Sequence, residues 1–298
     1  MNKYLSYLSV ILGAACWGFM GLFNRLLGSI GLEMGNRVFL RNFPSLVLLT
    51  LTFALTHREV FRIRLRHLPI FLASGLFSVL GLSYVYFNAQ MECSLAVAGI
   101  LLYLAPSIVV VLSALLWKTP VTRRKIAALA LALLGCALVS GVIGGDLTAS
   151  WRGLAFGVAS AFCYATYTIF AHYGLAHYDS YTMIYWTFVF AGLGSFVFLD
   201  PAGIAPVFTA RGALYALGLV LIATVLPYLL YTKGLEGVES GKAAIIANIE
   251  PVVAALTGIL VFHETLSAWV LLGIACVLGG VVLLSGDDAK GDNAHGKA

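Results

Sequence analysis

The sequence is poor in charge. Only 10% of its 298 residues are Asp, Glu, Lys or Arg, against about 25% in a soluble domain. With 61% hydrophobic residues, a soluble chain could not cover its apolar surface, because its outer layer must face water. That excludes a cytosolic enzyme, a disordered protein and a secreted disulfide scaffold. Cysteine is also scarce. Cys16, Cys93, Cys136, Cys163 and Cys276 include no pair at metal-ligand spacing, and four lie inside apolar runs. They read as small hydrophobes, so neither a metal nor a cofactor is expected. The sequence has no P-loop, dinucleotide fingerprint, H-E-x-x-H or nucleophile elbow, which argues against a nucleotide-driven pump within this chain. The net charge of +5 does not suggest nucleic acid, since the basic residues fall between apolar runs.

What the sequence does have is long apolar runs, with a mean hydropathy of +0.96. Crossing about 30 Å of hydrocarbon takes roughly 20 apolar residues at 1.5 Å each. Ten runs qualify, at 4–28, 34–56, 67–89, 94–117, 122–142, 151–173, 180–199, 211–232, 241–262 and 266–285. The breaks carry turn or charge signals, as in His57-Arg58-Glu59, Lys118-Thr119-Pro120 and Asp200-Pro201. The first run has no small-residue cleavage site and reads as a retained helix. An all-α, polytopic membrane protein with ten transmembrane helices is expected, with a polar, disordered cytoplasmic tail at 287–298. Placing the N-terminus in the cytoplasm puts thirteen Lys and Arg inside and five outside, so the positive-inside bias favours cytoplasmic N- and C-termini in the cell's inner membrane.

Sliding the chain by 145 residues aligns the stretch from Tyr86 with the stretch from Tyr231. Eleven of 56 pairs are identical, among them Pro106/Pro251, Gly135/Gly280 and Ser140-Gly141/Ser285-Gly286. Apolar composition inflates chance identity, so the coincident mid-helix prolines and helix-ending glycines carry more weight than the count. A tandem repeat of five spans must enter the membrane from opposite sides. Two inverted five-helix repeats are therefore expected, at 1–145 and 146–286, an architecture of secondary transporters with the substrate held near the midplane.

The stretch NIEPVVAALTGILVFHETLSAWVLLGIACVLGGVVLL resembles the last two helices of EamA-type members of the drug/metabolite transporter superfamily. The matching features are Glu250-Pro251, Glu264 and Gly280, with Tyr103 to Pro106, Cys16-Trp17-Gly18 and Arg41 in the first half. One departure is visible: Thr119 occupies the first-half slot of Glu264. The resemblance implies ten helices, a cavity lined by helices 1, 3, 4, 6, 8 and 9, and export or exchange of a small metabolite. It does not fix the substrate.

Glu250 lies nine residues into its run, about 13 Å deep. A carboxylate there costs several kcal/mol unless paired, hydrated or protonated. It reads as a proton or cation coupling site in a wet cavity; alternatively it satisfies groups freed by Pro251 or pairs internally. Arg41, about 10 Å into helix 2, suits a substrate carboxylate, or else snorkels outward beside Arg37. Pro106 and Pro251 are candidate hinges, each able to bend its helix and expose carbonyls. Tyr84, Asn88, Tyr103, Tyr164, Tyr167, Tyr228 and Asn248 are further candidate cavity residues, since buried phenols and amides need partners; the other reading of each is a lipid-facing or belt position. Trp17 joins them because Gly13, Ala14, Gly18 and Gly21 flank it.

The expected function is secondary active transport of a small metabolite, an amino acid foremost, by alternating access. Carriage of organic cations, polyamines or drug-like solutes is the alternative. A membrane-embedded lipid-modifying enzyme would need clustered His, Asp or Glu near one interface, and the sequence offers none. Expected partners are a small-molecule substrate, a coupling proton and the lipid bilayer; monomer and homodimer both stay open.

Overall fold

A computed structural model describes residues 3–141, 143, 148–264 and 266–295. The expected boundary between halves, at 145–146, lies outside the described residues, as do residues 296–298. The described residues are helical apart from turns and a single antiparallel bridge between Cys93 and Ala149. Eight segments are long and apolar enough to cross a membrane: α1 (Lys3–Ser29), α2 (Met34–Thr56), α3 (Leu65–Glu92), α4 (Val97–Trp117), α6 (Trp151–Leu175), α7 (Ser180–Phe198), α8 (Ala210–Gly234) and α9 (Ser240–Phe262). Two of the ten expected spans are shorter. Helix α5 (Arg123–Val139) has 17 residues and starts with three basic ones. The last helix, α10 (Ala268–His295), is apolar only over Ala268–Leu284. It runs on into polar residues that the sequence pattern leaves unstructured, since extending an existing helix avoids the cost of nucleation.

Local chemistry sets where the helices start and break. Ser94, Thr122, Ser150, Asp179 and Thr209 each cap a helix by accepting from a backbone N–H three residues on. Helix α4 breaks at Tyr103 (φ −74°, ψ 4°) and α9 at Asn248 (φ −64°, ψ 0°). Each break sits three residues before a proline, whose missing N–H leaves the carbonyl four residues back without its helical donor.

The two breaks are 145 residues apart, and other features recur at that spacing. Lys118 and His263, just beyond α4 and α9, both adopt a left-handed φ of 54°. A π-helical stretch interrupts α3 over Ala73–Gly81 and α8 over Leu221–Val225. Helices α5 and α10 pack together through matched glycines. A Cβ on Gly135 would lie 2.6 Å from the Gly273 carbonyl oxygen, and one on Gly280 would lie 2.9 Å from that of Ala128. Small residues of this kind let helices approach where the hydrophobic effect cannot drive association.

The core joins helices distant in sequence, with Trp17, Phe71, Phe188, Tyr228 and Ile245 buried together. Outward faces remain apolar: Leu55, Val197 and Leu260 are all strongly exposed, as suits a surface solvated by lipid.

Candidate functional site: a polar cavity open at one end

A cavity of about 400 Å³ lies between α1, α2, α3, α4, α6, α8 and α9. Its wall follows α1 from Trp17 to Arg25 and α2 from Met34 to Arg41. It therefore runs from mid-helix to the end of the bundle where α1 hands over to α2. At that mouth Arg25 forms an ion pair with Glu264 at 2.5 Å and sits 4.7 Å over the Phe262 ring. Arg37 braces the same corner, donating from Nε to the Leu32 carbonyl (2.8 Å) and from Nη1 to that of Asn24 (3.0 Å).

The floor of the cavity is aromatic. Trp17 is 4% exposed and meets Tyr164, Tyr228 and Tyr231 at ring-centroid distances of 6.2, 5.2 and 5.1 Å. The first two contacts are edge-to-face, the favoured geometry for aromatic quadrupoles. Gly18 brings α1 against α9, where a Cβ would meet Val253 and the Glu250 carbonyl. Glu250 itself occupies the first turn after the α9 break and accepts a 2.7 Å hydrogen bond from the Tyr164 hydroxyl.

Arg41 lines the same cavity from α2 and faces the Tyr228 hydroxyl. Its Nε is buried without a hydrogen-bond partner, which is costly for a charged donor. Among the described residues no ion pair joins Arg41 to Glu250. The two charges thus face one cavity from different halves of the chain without neutralising each other.

Of the candidate residues, Trp17, Arg41, Tyr103, Tyr164, Tyr228 and Glu250 line the cavity, and Tyr84, Asn88, Tyr167 and Asn248 do not. Tyr84 is 53% exposed and faces Phe198 at 6.3 Å between ring centroids; Asn88 returns its amide to the Tyr84 carbonyl at 2.8 Å. The cavity instead receives Leu82, Ser83, Tyr86, Phe87 and Gln90. That set sits at the i, i+4 spacing of one helical face, and Tyr84 and Asn88 are two residues, or about 200°, away from Tyr86 and Gln90. The stripe Tyr86–Gln90 was the signal available in the sequence.

Tyr167 lies below the floor, where its hydroxyl meets the Thr232 hydroxyl at 2.6 Å. Beside it, Thr168 meets Tyr231 at 2.9 Å. These two bridges tie α6 to α8 on the side of the floor away from the mouth. Asn248 is 2% exposed at the α9 break, and its amide nitrogen lacks a partner. Pro106 and Pro251 are both buried immediately after their breaks.

The chain matches the EamA-like transporter family at residues 4–141 and again at 151–286. An uncharacterized transporter of Archaeoglobus fulgidus is 33% identical over 202 residues, which is 66% of this chain and 70% of that protein. The uncharacterized inner membrane transporter YicL of Salmonella typhimurium is 28% identical over 291 residues, covering 95% of this chain and 96% of its own. A solved crystal structure shares the fold with a TM-score of 0.74 at 17% sequence identity, over 93% of this chain and 97% of that one.

Proposed function

The chain belongs to the EamA-like transporter family, and on that premise we propose that it is a secondary active carrier of a small metabolite, an amino acid foremost, across the cytoplasmic membrane. The reading rests on one observation above all. Arg41 and Glu250 face a common cavity, unpaired with each other, with an aromatic floor between them. A zwitterion matches that arrangement: its carboxylate turns to Arg41, whose Nε lacks a partner, and its ammonium turns to Glu250. The Trp17, Tyr164 and Tyr228 rings form the apolar wall. Glu250 also serves as the coupling site, exchanging a proton with the cavity when no ammonium is bound.

The ten helices are read as two inverted five-helix units, 1–145 and 146–286. The double family match and the breaks, π-helical stretches and left-handed residues recurring at 145 residues support this. With thirteen Lys and Arg on one side against five on the other, the N-terminus is placed in the cytoplasm and the cavity mouth outside. The repeat then supplies the mechanism. The inner seal joins Tyr167 to Thr232 and Thr168 to Tyr231. Their mates one repeat earlier are Leu22, Phe87, Phe23 and Tyr86, of which Tyr86 and Phe87 line the open cavity. In the inward-facing state α1 and α3 close over those residues while α6 and α8 part, with bending at Pro106 and Pro251.

The test is counterflow in proteoliposomes with free and blocked amino acids. Amidating the carboxyl or acetylating the amine should each weaken binding by about 1.5–3 kcal/mol, the scale of a lost charge-assisted hydrogen bond. Equal binding of free and blocked forms, or binding of permanent cations alone, would overturn the amino-acid assignment.

A further inference from the structure

The charges on the cavity wall do not sum to zero. The charged residues lining it are Arg25, Arg37, Arg41 and Glu250. Arg25 is matched by Glu264 outside the wall. Arg37 is held by neutral acceptors, the Leu32 and Asn24 carbonyls and the Met34 sulfur, so its charge stands uncompensated among the described residues. Arg41 faces a neutral phenol, and its Nε has no partner. Against these two stands Glu250, whose bond from Tyr164 is also to a neutral group. The cavity therefore carries an excess of one positive charge with Glu250 ionised, and of two with Glu250 protonated.

That excess bears on the solute. A plain zwitterion leaves it in place, and an organic cation adds to it in a site flanked by hydrocarbon, where charge is weakly screened. A solute with two carboxylates and one ammonium cancels it. Arg37 and Arg41 are four residues apart on α2, so their side chains start about 5–6 Å from each other on one face, a span that a short acidic amino acid bridges. We infer that the substrate is an acidic amino acid or close analogue. Its α-carboxylate lies at Arg41, its ammonium at Glu250, and its second carboxylate sits one helical turn toward the mouth, in the field of Arg37. This inference rests on the amino-acid reading of the same cavity and narrows it.

The experiment follows ligand-induced thermal stabilisation of the purified full-length protein, titrated with L-glutamate, L-aspartate, L-glutamine, L-asparagine, L-lysine and spermidine. The acidic amino acids should reach half-saturation at concentrations about tenfold or more below those of their amides, and lysine and spermidine should not stabilise. Arg37→Gln should bring the ratio between glutamate and glutamine toward one. Arg37→Lys, which gives up the carbonyl bonds but keeps the charge, should preserve the preference and serves if the glutamine variant does not fold. Equal half-saturation for acids and amides would overturn the second carboxylate and leave the amino-acid reading standing. Stabilisation by lysine or spermidine alone, or by none of the six, would overturn both.

Discussion

Glu250→Gln separates charge from shape at the centre of the cavity. Glutamine keeps a carbonyl oxygen where the carboxylate accepts from Tyr164 at 2.7 Å, so that phenol stays satisfied and the desolvation cost of the carboxylate is removed. The thermal midpoint of the variant should hold or rise. Glu250→Ala would strand the Tyr164 hydroxyl and should cost about 1–3 kcal/mol of stability. Binding should respond differently. Losing an ammonium–carboxylate bond is worth about 1.5–3 kcal/mol, or roughly a tenfold to hundredfold rise in half-saturating concentration. The pH dependence has a definite sign. The ionised carboxylate holds the ammonium, so wild-type affinity falls as the pH drops through the Glu250 titration, and that arm of the profile should be flat in Glu250→Gln. Counterflow in proteoliposomes across a pH series, alongside thermal unfolding, reads both quantities. Wild-type transport by Glu250→Gln with an unchanged pH profile would refute the reasoning and leave Glu250 a structural partner of Tyr164.

Further expectations concern orientation, gating and packing. A single cysteine at Arg64 or Arg124 should resist an impermeant thiol reagent added outside intact cells, while one at Asp200 should react; the reverse pattern would invert the topology. A Thr168→Cys/Tyr231→Cys pair should be bridged in the resting protein by a bifunctional thiol reagent long enough to replace the tyrosine ring, arresting transport, whereas Phe23→Cys/Tyr86→Cys should be bridged only during turnover, and equal bridging at rest would contradict the exchange of seals. Gly135→Ala should destabilise the protein by about 1–3 kcal/mol through overpacking, since its new methyl would meet the Gly273 carbonyl at 2.6 Å. Gly279→Ala, with open space around the added carbon, should be neutral or mildly stabilising in thermal unfolding.

The sequence by itself determined the solvent of this protein and much of its segmentation. Hydrocarbon can host a backbone only if its hydrogen bonds are satisfied within the segment, so long apolar runs had to be helices. Pro106 and Pro251 fixed where two of them break, because a missing N–H acts locally. Glu250 and Arg41 stood out because a charge at depth is expensive wherever the neighbours lie. Rotation of each helix about its axis was another matter. In water, an amphipathic stripe tells which face is buried; in lipid both faces are apolar, and the stripe fades. On α3 the sequence therefore pointed to Tyr84 with Asn88, and only packing against α6 turned Tyr86 with Gln90 into the cavity instead. The same packing left Tyr167 beneath the floor, bound to Thr232, although it lies a single turn from Tyr164. The meeting of Arg41 with Glu250, 209 residues apart, and the engagement of Arg37 by backbone carbonyls were likewise decided by tertiary structure, since no local pattern encodes which distant helices share a cavity.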